Sequence, residues 1–316
     1  MQRIYQFIVN PKSGSTGNVS ILVRLKDYLH KQGHIIHLDL TKSLSHAGKL
    51  ADKAKNNGAN LIIVSGGDGT VRSVVEAMAG SKLPILILPG GTENLLAQEL
   101  GIDGSFHKTT KILKHGSLRN LDLGSANGQL FMAIMGVGFD AEVIRRINQF
   151  RSGHITHGDY IWPICRTFWE YKFPHIYVKA DGKEVCDEPA LVFIGNISRY
   201  AVGLPIVPHA DCSDGRLDIC IYKCKRRREL LLHAVRTICH RAKASKNVLR
   251  FNCTHLFIDS HDFNVPVQMD GDPGPSLPLD IKIVKSAAQV MTPPPPAGQL
   301  YCPPVRFYHL RRWIFG

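Results

Sequence analysis

The stretch LIIVSGGDGTVRSVVEAMA, Leu61–Ala79, decides the fold. Leu61 to Val64 is a short apolar run and predicts a buried strand. Ser65-Gly66-Gly67-Asp68-Gly69-Thr70 turns the chain. A helix then opens at Thr70 with Val71, Val74, Val75 and Met78 on one face. Where a strand turns through glycines into a helix, backbone N–H groups point outward and can hold an anion. Glycine permits the close approach and the positive φ values of such a turn. Asp68 sets a carboxylate inside that cradle, where it would repel a phosphate. It therefore points to a metal ion or to proton transfer. The plain alternative is a strand–helix turn capped by Asp or Thr.

Working outward, the same strand–turn–helix unit recurs. Ile4–Val9 predicts a strand, the loop 10–17 follows, and a helix capped by Asn18 or Ser20 runs to about Gln32 with Ile21, Leu22, Leu25 and Leu29 inward. Gly33 ends it. Ile35–Leu40 predicts a second strand ending at Thr41, and Ser45–Asn57 a helix. Pro84–Leu88 predicts a fourth strand, followed by a glycine loop and a helix over 92–100. Alternation of this kind argues for a parallel sheet covered on both faces. Ligands of such sheets lie at the carboxyl ends of the strands. The three glycine loops and Thr41 are therefore expected at one sheet edge.

Asn10-Pro11-Lys12-Ser13-Gly14, Gly66-Gly67-Asp68-Gly69-Thr70 and Pro89-Gly90-Gly91-Thr92-Glu93-Asn94 occur in this order, each after a predicted strand. Together they resemble the loops of the diacylglycerol kinase/sphingosine kinase superfamily, in the forms NPxSG, GGDGT and PxGTxN. The likeness is nearest to its bacterial-type soluble lipid kinases. It implies an ATP-dependent lipid kinase using Mg2+. On the resemblance the nucleotide contacts are Asn10, Pro11, Ser13, Gly14, Thr41, Gly66, Gly67, Asp68, Gly69, Thr70, Val71, Arg72, Gly91, Thr92 and Asn94. Lys12 lies near phosphate or is a solvated loop lysine. No Walker sequence, GxxxxGK followed by Ser or Thr, occurs.

After Leu121-Asp122-Leu123-Gly124 the alternation weakens. Leu130–Gly136, His175–Ala180, Ala190–Gly195, Leu217–Tyr222, Val248–Phe251, His255–Ile258 and Leu279–Val284 predict strands with few helices between them, a β-rich sandwich. The expected division is an α/β nucleotide domain over 1–124 and a β-sandwich lipid domain over 125–290. A Pro-rich tail over 291–316 would lie against the first domain, with Pro293–Pro296 an extended spacer. On the resemblance the last strand returns to the first domain.

Two further stretches extend the likeness. Asp211-Cys212-Ser213-Asp214-Gly215-Arg216-Leu217-Asp218 resembles a family segment ending DDGLLD. That implies a structural magnesium on Asp211, Asp214 and the carbonyl of Arg216; the alternative is an Asp-Gly turn. Met269-Asp270-Gly271-Asp272 resembles the family's DGE, whose Glu is taken as the general base. Asp272 holds that place with one methylene less, and Asp68 and Asp272 are the catalytic candidates. The chain departs from the pattern at Arg72 and Ser73, where Asn-Glu is usual, at Leu95, where Asp is usual, and at Asp272.

The chain has 316 residues, 44% of them apolar, enough for two domains with real cores. No apolar run reaches the ~18–20 residues that span a bilayer. MQRIYQFIVNPKSG lacks a signal peptide's apolar leader and reads as a first strand, which predicts a cytoplasmic protein. The 8 cysteines form no CxxC pair and no zinc spacing, and are read as reduced thiols. A net charge of +13 implies an anionic partner. No nucleic-acid motif accompanies it, so nucleic acid is not expected.

The aromatic and basic residues of 159–172 and the cluster Lys223–Arg228 suit an anionic membrane surface. An aromatic core contact and a solvated basic face are the alternatives. The expected partners are ATP and a lipid acceptor, diacylglycerol-like, phosphatidylglycerol-like or sphingoid, at the membrane periphery. A homodimer is left open. An NAD kinase shares GGDGT but carries an NLGxLGF-like second loop that PGGTENLLAQELG does not match. A catalytically impaired nucleotide- or lipid-binding regulator is the third reading. His154 and His157 have the spacing of metal ligands in a loop context.

Overall fold

Phe7, Ile8, Ile63 and Val64 sit side by side at the centre of a parallel sheet, fully buried. They belong to a computed structural model that describes residues 2–13, 16–150, 161–200, 203–239, 246–262 and 264–294. Gly14, His154, His157, Asp159, Tyr160 and the tail from 295 onward lie outside the described residues.

The first part of the chain is β1 (Ile4–Val9), α1 (Thr16–Lys31), β2 (Ile35–Leu40), α2 (Leu44–Asn56), β3 (Leu61–Gly66), α3 (Asp68–Ala77), β4 (Ile85–Pro89), α4 (Leu95–Glu99) and α5 (Phe106–His115). Strands β2, β1, β3 and β4 pair in that order, all parallel. Every residue of β3 is buried, as an unbroken apolar run on a doubly covered sheet requires. Helix α2 starts at Leu44 because the Ser43 hydroxyl accepts from the His46 N–H at 3.1 Å.

The second part is β5 (Ser117–Ala126), β6 (Gln129–Phe131), β7 (Ile134–Val137), α6 (Phe139–Phe150), α7 (Ile161–Glu170), β8 (His175–Ala180), β9 (Lys183–Gly195), β10 (Leu217–Lys223), α8 (Arg227–Ile238), β11 (Val248–Cys253), β12 (His255–Asp259), β13 (Val267–Met269), β14 (Asp272–Pro273) and β15 (Leu279–Thr292). Its strands are antiparallel and enclose a separate apolar cluster around Phe131, Ile194 and Leu256. The architecture is therefore α/β, a parallel-sheet half followed by a β-sandwich half. Leu130–Gly136 is not one strand. It breaks because the N–H groups of Met132, Ala133 and Ile134 turn to a carboxylate, Asp270, instead of a neighbouring strand.

Strand β15 joins the halves. Its beginning pairs with β12, with Leu279 and Ile281 in the sandwich core. A bulge between Val284 and Ala288 turns it. Ala288 and Val290 then enter the core of the parallel sheet, and Val290 pairs in parallel with Ile85 of β4. Asp122 of β5, 3% exposed, pins the bulge by accepting from the Ser286 N–H at 2.6 Å.

Candidate active site

The three glycine loops meet at the carboxyl ends of β1, β3 and β4. The Asn10 side chain donates to Thr70 Oγ1 at 3.0 Å, tying the first loop to α3. The Gly90 N–H donates to the Gly66 carbonyl at 2.8 Å. Gly67 and Gly91 touch backbone to backbone: a Cβ on Gly91 would lie 2.6 Å from the Gly67 Cα. Only glycine lets the second and third loops come this close. Thr41 joins the same edge, its N–H donating to the Val9 carbonyl at 2.8 Å. Pro11 is exposed and Ser13 caps back onto the Asn10 carbonyl. Helix α3 begins at Asp68 with Gly67 as its cap, two residues before the expected start, so Asp68 and Gly69 lie in its first turn. Their N–H groups are among those a helix leaves without intrahelical partners.

Asn94 shapes its loop from within. It accepts from the Gly91 N–H at 2.8 Å and donates to the Gly91 carbonyl at 2.7 Å, with φ at 52°. Helix α4 accordingly starts at Leu95, not Thr92. The Leu95 N–H donates to Asp68 Oδ1 at 2.7 Å, closing the third loop on the carboxylate of the second. Burial pushes the Asp68 carboxyl up to about 6, against the pull of that donor.

A second corner reaches α3 from the sandwich half. Asp270 and Gly271 make the turn between β13 and β14. Asp270 accepts N–H donors from Met132, Ala133 and Ile134 at 2.7, 2.8 and 2.9 Å, which locks the turn. Asp272 follows. Arg72, one helical turn beyond Asp68 on α3, donates to Asp272 Oδ2 at 2.7 Å and to the Met269 carbonyl at 3.3 Å. Glu76 is the next residue on that stripe, its carboxylate 3.6 Å from Arg72 Nε, and burial pushes it up to about 7. Asp68, Arg72 and Glu76 thus present one face of α3 to the Asp272 corner.

Residues 5–126 match the family described as the diacylglycerol kinase catalytic domain. Residues 133–292 match the YegS C-terminal NAD kinase beta sandwich-like domain. The chain belongs to the diacylglycerol kinase and YegS-like lipid kinase family. It is placed there as an enzyme, a lipid kinase. A diacylglycerol kinase of Mycobacterium tuberculosis is 29% identical over 90% of this chain and 94% of its own length. A protein of Shewanella frigidimarina named "Probable lipid kinase YegS-like" is 24% identical over 84% of this chain and 87% of its own. A crystal structure of a Bacillus anthracis diacylglycerol kinase superposes with a TM-score of 0.68, at 21% identity, over 92% of this chain and 97% of its own; it speaks for the fold alone.

Two of the chain's departures from the lipid kinase pattern are thereby one feature. Arg72 replaces an Asn, Asp272 replaces a Glu, and the two touch. The motif containing Asp270 was visible in the sequence, but not its partners 136 to 138 positions away. Glu76, and the Asp140 carboxylate that accepts from Gln268 at 2.8 Å, carried no sequence signal.

At the turn 211–218, the carboxylates that the resemblance assigns to a metal accept hydrogen bonds from protein groups. Asp211 Oδ1 accepts from the Arg119 guanidinium and from the Ser213 N–H and hydroxyl. Asp214 caps the Arg216 N–H at 2.9 Å. Asp122 takes the Gly215 N–H at 2.6 Å. Among the described residues, no three His, Cys, Asp or Glu side chains are grouped to hold a metal ion. A fixed arginine cation stands beside Asp211.

Proposed function

We propose that the protein transfers the γ-phosphoryl group of ATP to the hydroxyl of a lipid at a membrane surface. One observation carries this reading: Arg72 brings Asp272, from the sandwich half, onto the face of α3 that begins with Asp68. In this reading residues 1–124 hold the nucleotide and 125–290 the lipid. The protein would work at the membrane periphery.

The N–H groups of the glycine loops and the α3 N-terminus would hold the phosphates. Thr41 and Thr92 would border the nucleotide. Asp68 is the carboxylate placed to hold Mg2+ or its waters, a donor type that suits a hard cation sharing phosphate oxygens. That ion would supply charge neutralisation at the phosphates. Asp272, aimed by Arg72, would take the proton of the attacking hydroxyl as the new O–P bond forms and the bond to ADP breaks. The proton then passes to water. The acceptor is a lipid alcohol of the diacylglycerol, phosphatidylglycerol or sphingoid kind.

The Arg72–Asp272 ion pair also favours a second reading, a nucleotide-binding regulator whose carboxylate is permanently engaged. Radiolabelled ATP over a panel of lipid extracts separates the two. Transfer to a lipid, lost in Asp68→Ala and Asp272→Ala variants that still unfold cooperatively, is the expected result. ATP binding with no transfer to any lipid would leave the regulator. Full activity in both variants would overturn the assignment.

A further inference from the structure

Among the described residues, helices α7 and α8 carry an apolar surface that no other element covers. Trp162 and Trp169 on α7 are 65% and 69% exposed, and Leu231, Val235 and Ile238 on α8 lie between 42% and 55%. Only narrow stripes face inward, Pro163 and Thr167 on α7 and Leu230, His233 and Thr237 on α8. The outward stripes are continuous. Trp162, Arg166 and Trp169 share one side of α7. Arg227, the first residue of α8, donates to the carbonyls of Phe168 and Trp169 at 3.2 and 2.5 Å. Leu231, Val235 and Ile238 continue along its side of α8.

The surroundings are basic. Arg166, Lys172, Lys225, Arg226, Arg228 and Arg236 are exposed around the stripe. The nearby acids are engaged: Glu170 by Arg146 and Arg166, Glu229 by the Lys225 N–H. At the α7 end a cleft of about 160 Å³ lies between Arg145, Arg146, Arg166, Trp162 and Pro163. All three guanidiniums are ion-paired, Arg145 and Arg146 with Glu142 behind the cleft, and Arg146 and Arg166 with Glu170, which also lines it. The balance is one positive charge in a space of headgroup-phosphate size.

We infer that α7 and α8 dock the protein on an anionic phospholipid membrane. The tryptophans and the leucine–valine–isoleucine stripe enter the interface, the surrounding cations meet the headgroups, and the α6–α7 cleft takes a lipid phosphate. Helix α6 packs on α7 and also on β13 and β14. The docking stripe therefore lies one helix away from the Asp272 corner. A lipid hydroxyl could reach that corner with its tails still in the bilayer.

The inference takes its purpose from the lipid-kinase reading, but vesicle binding is measured without turnover, so the two fail separately. The full chain should sediment with phosphatidylcholine vesicles containing phosphatidylglycerol, and not with phosphatidylcholine alone. Trp162→Ala and Trp169→Ala should each weaken binding about tenfold. Arg226→Ala and Arg228→Ala should cost about fivefold each and flatten the salt dependence. ATP binding by these variants should be unchanged, which reports that they fold. Unaltered vesicle binding in all four overturns the inference. So does a dimer in sedimentation equilibrium that the tryptophan variants dissociate, since a second copy would then own the stripe.

Discussion

The glycine-loop edge and the carboxylate corner make their contacts differently. At the edge, backbone meets backbone: Gly67 against Gly91, Gly90 against Gly66, with side chains such as Asn94 folded inward to shape the loop. At the corner, side chains reach across from the other half of the molecule, as Arg72 does to Asp272. Backbone geometry tolerates sequence change as long as glycine remains where a Cβ would collide. A side-chain bridge changes only when both ends change together. Of the departures from the family pattern, Arg72 and Asp272 meet at the corner, while Leu95 closes the third loop at the edge.

The comparison breaks most visibly at Asp68 and Asp272, the proposed catalytic carboxylates. Asp272→Ala and Asp68→Ala should each lower lipid phosphorylation about a thousandfold in steady-state assays. Arg72→Asn should cost about a hundredfold, and Asp272→Glu alone should also lose activity. The double variant Arg72→Asn/Asp272→Glu should recover most of the loss. A double-mutant cycle with a coupling above about 1 kcal/mol would establish the pair as a unit, and simple additivity would dismiss it.

Gly91→Ala tests the edge instead. Its Cβ would force the second and third loops apart, at a cost of about 2 kcal/mol in denaturant unfolding and with weaker nucleotide binding.

A smaller effect is expected from pH. The Asp68 carboxyl, held up to about 6 by burial, keeps its proton in the fold over a range where the unfolded chain, near its ordinary 3.8, has lost it. Its contribution to stability therefore declines as pH rises from about 4 through about 6. Nucleotide affinity in the presence of Mg2+ should rise over the same span, as the carboxylate forms. Asp68→Asn should remove both trends, as read by thermal unfolding and nucleotide titration.

The smallest effect concerns the 211–218 turn. EDTA should leave thermal unfolding of the nucleotide-free protein unchanged, while Arg119→Ala should destabilise it by about 1 kcal/mol. A large EDTA shift would restore a metal to Asp211.

What the sequence revealed follows the range of each interaction. The apolar runs of β1, β3 and β4 and the glycines after them act over a few residues, so the parallel sheet and its loops are legible locally. The break inside Leu130–Gly136 is not, because the cause is Asp270, far along the chain. The Arg72–Asp272 contact spans 200 positions. The sequence marked both ends as departures and gave no sign that they meet. At Asp211 the family likeness suggested a metal, and the arginine that meets the carboxylate comes from β5, 92 positions earlier. For α7 and α8 the aromatic and basic composition was visible, while the outward direction of the tryptophans depends on which narrow stripe the fold buries.

The passage of β15 through both cores has a consequence for how the molecule is made. A nascent chain leaving the ribosome cannot finish its first half when the residues of that half have emerged, since Ala288 and Val290 are still to come. Both halves wait for the same closing segment. Each should therefore melt with the other in one cooperative transition, and a chain cut before Leu279 should leave neither half complete.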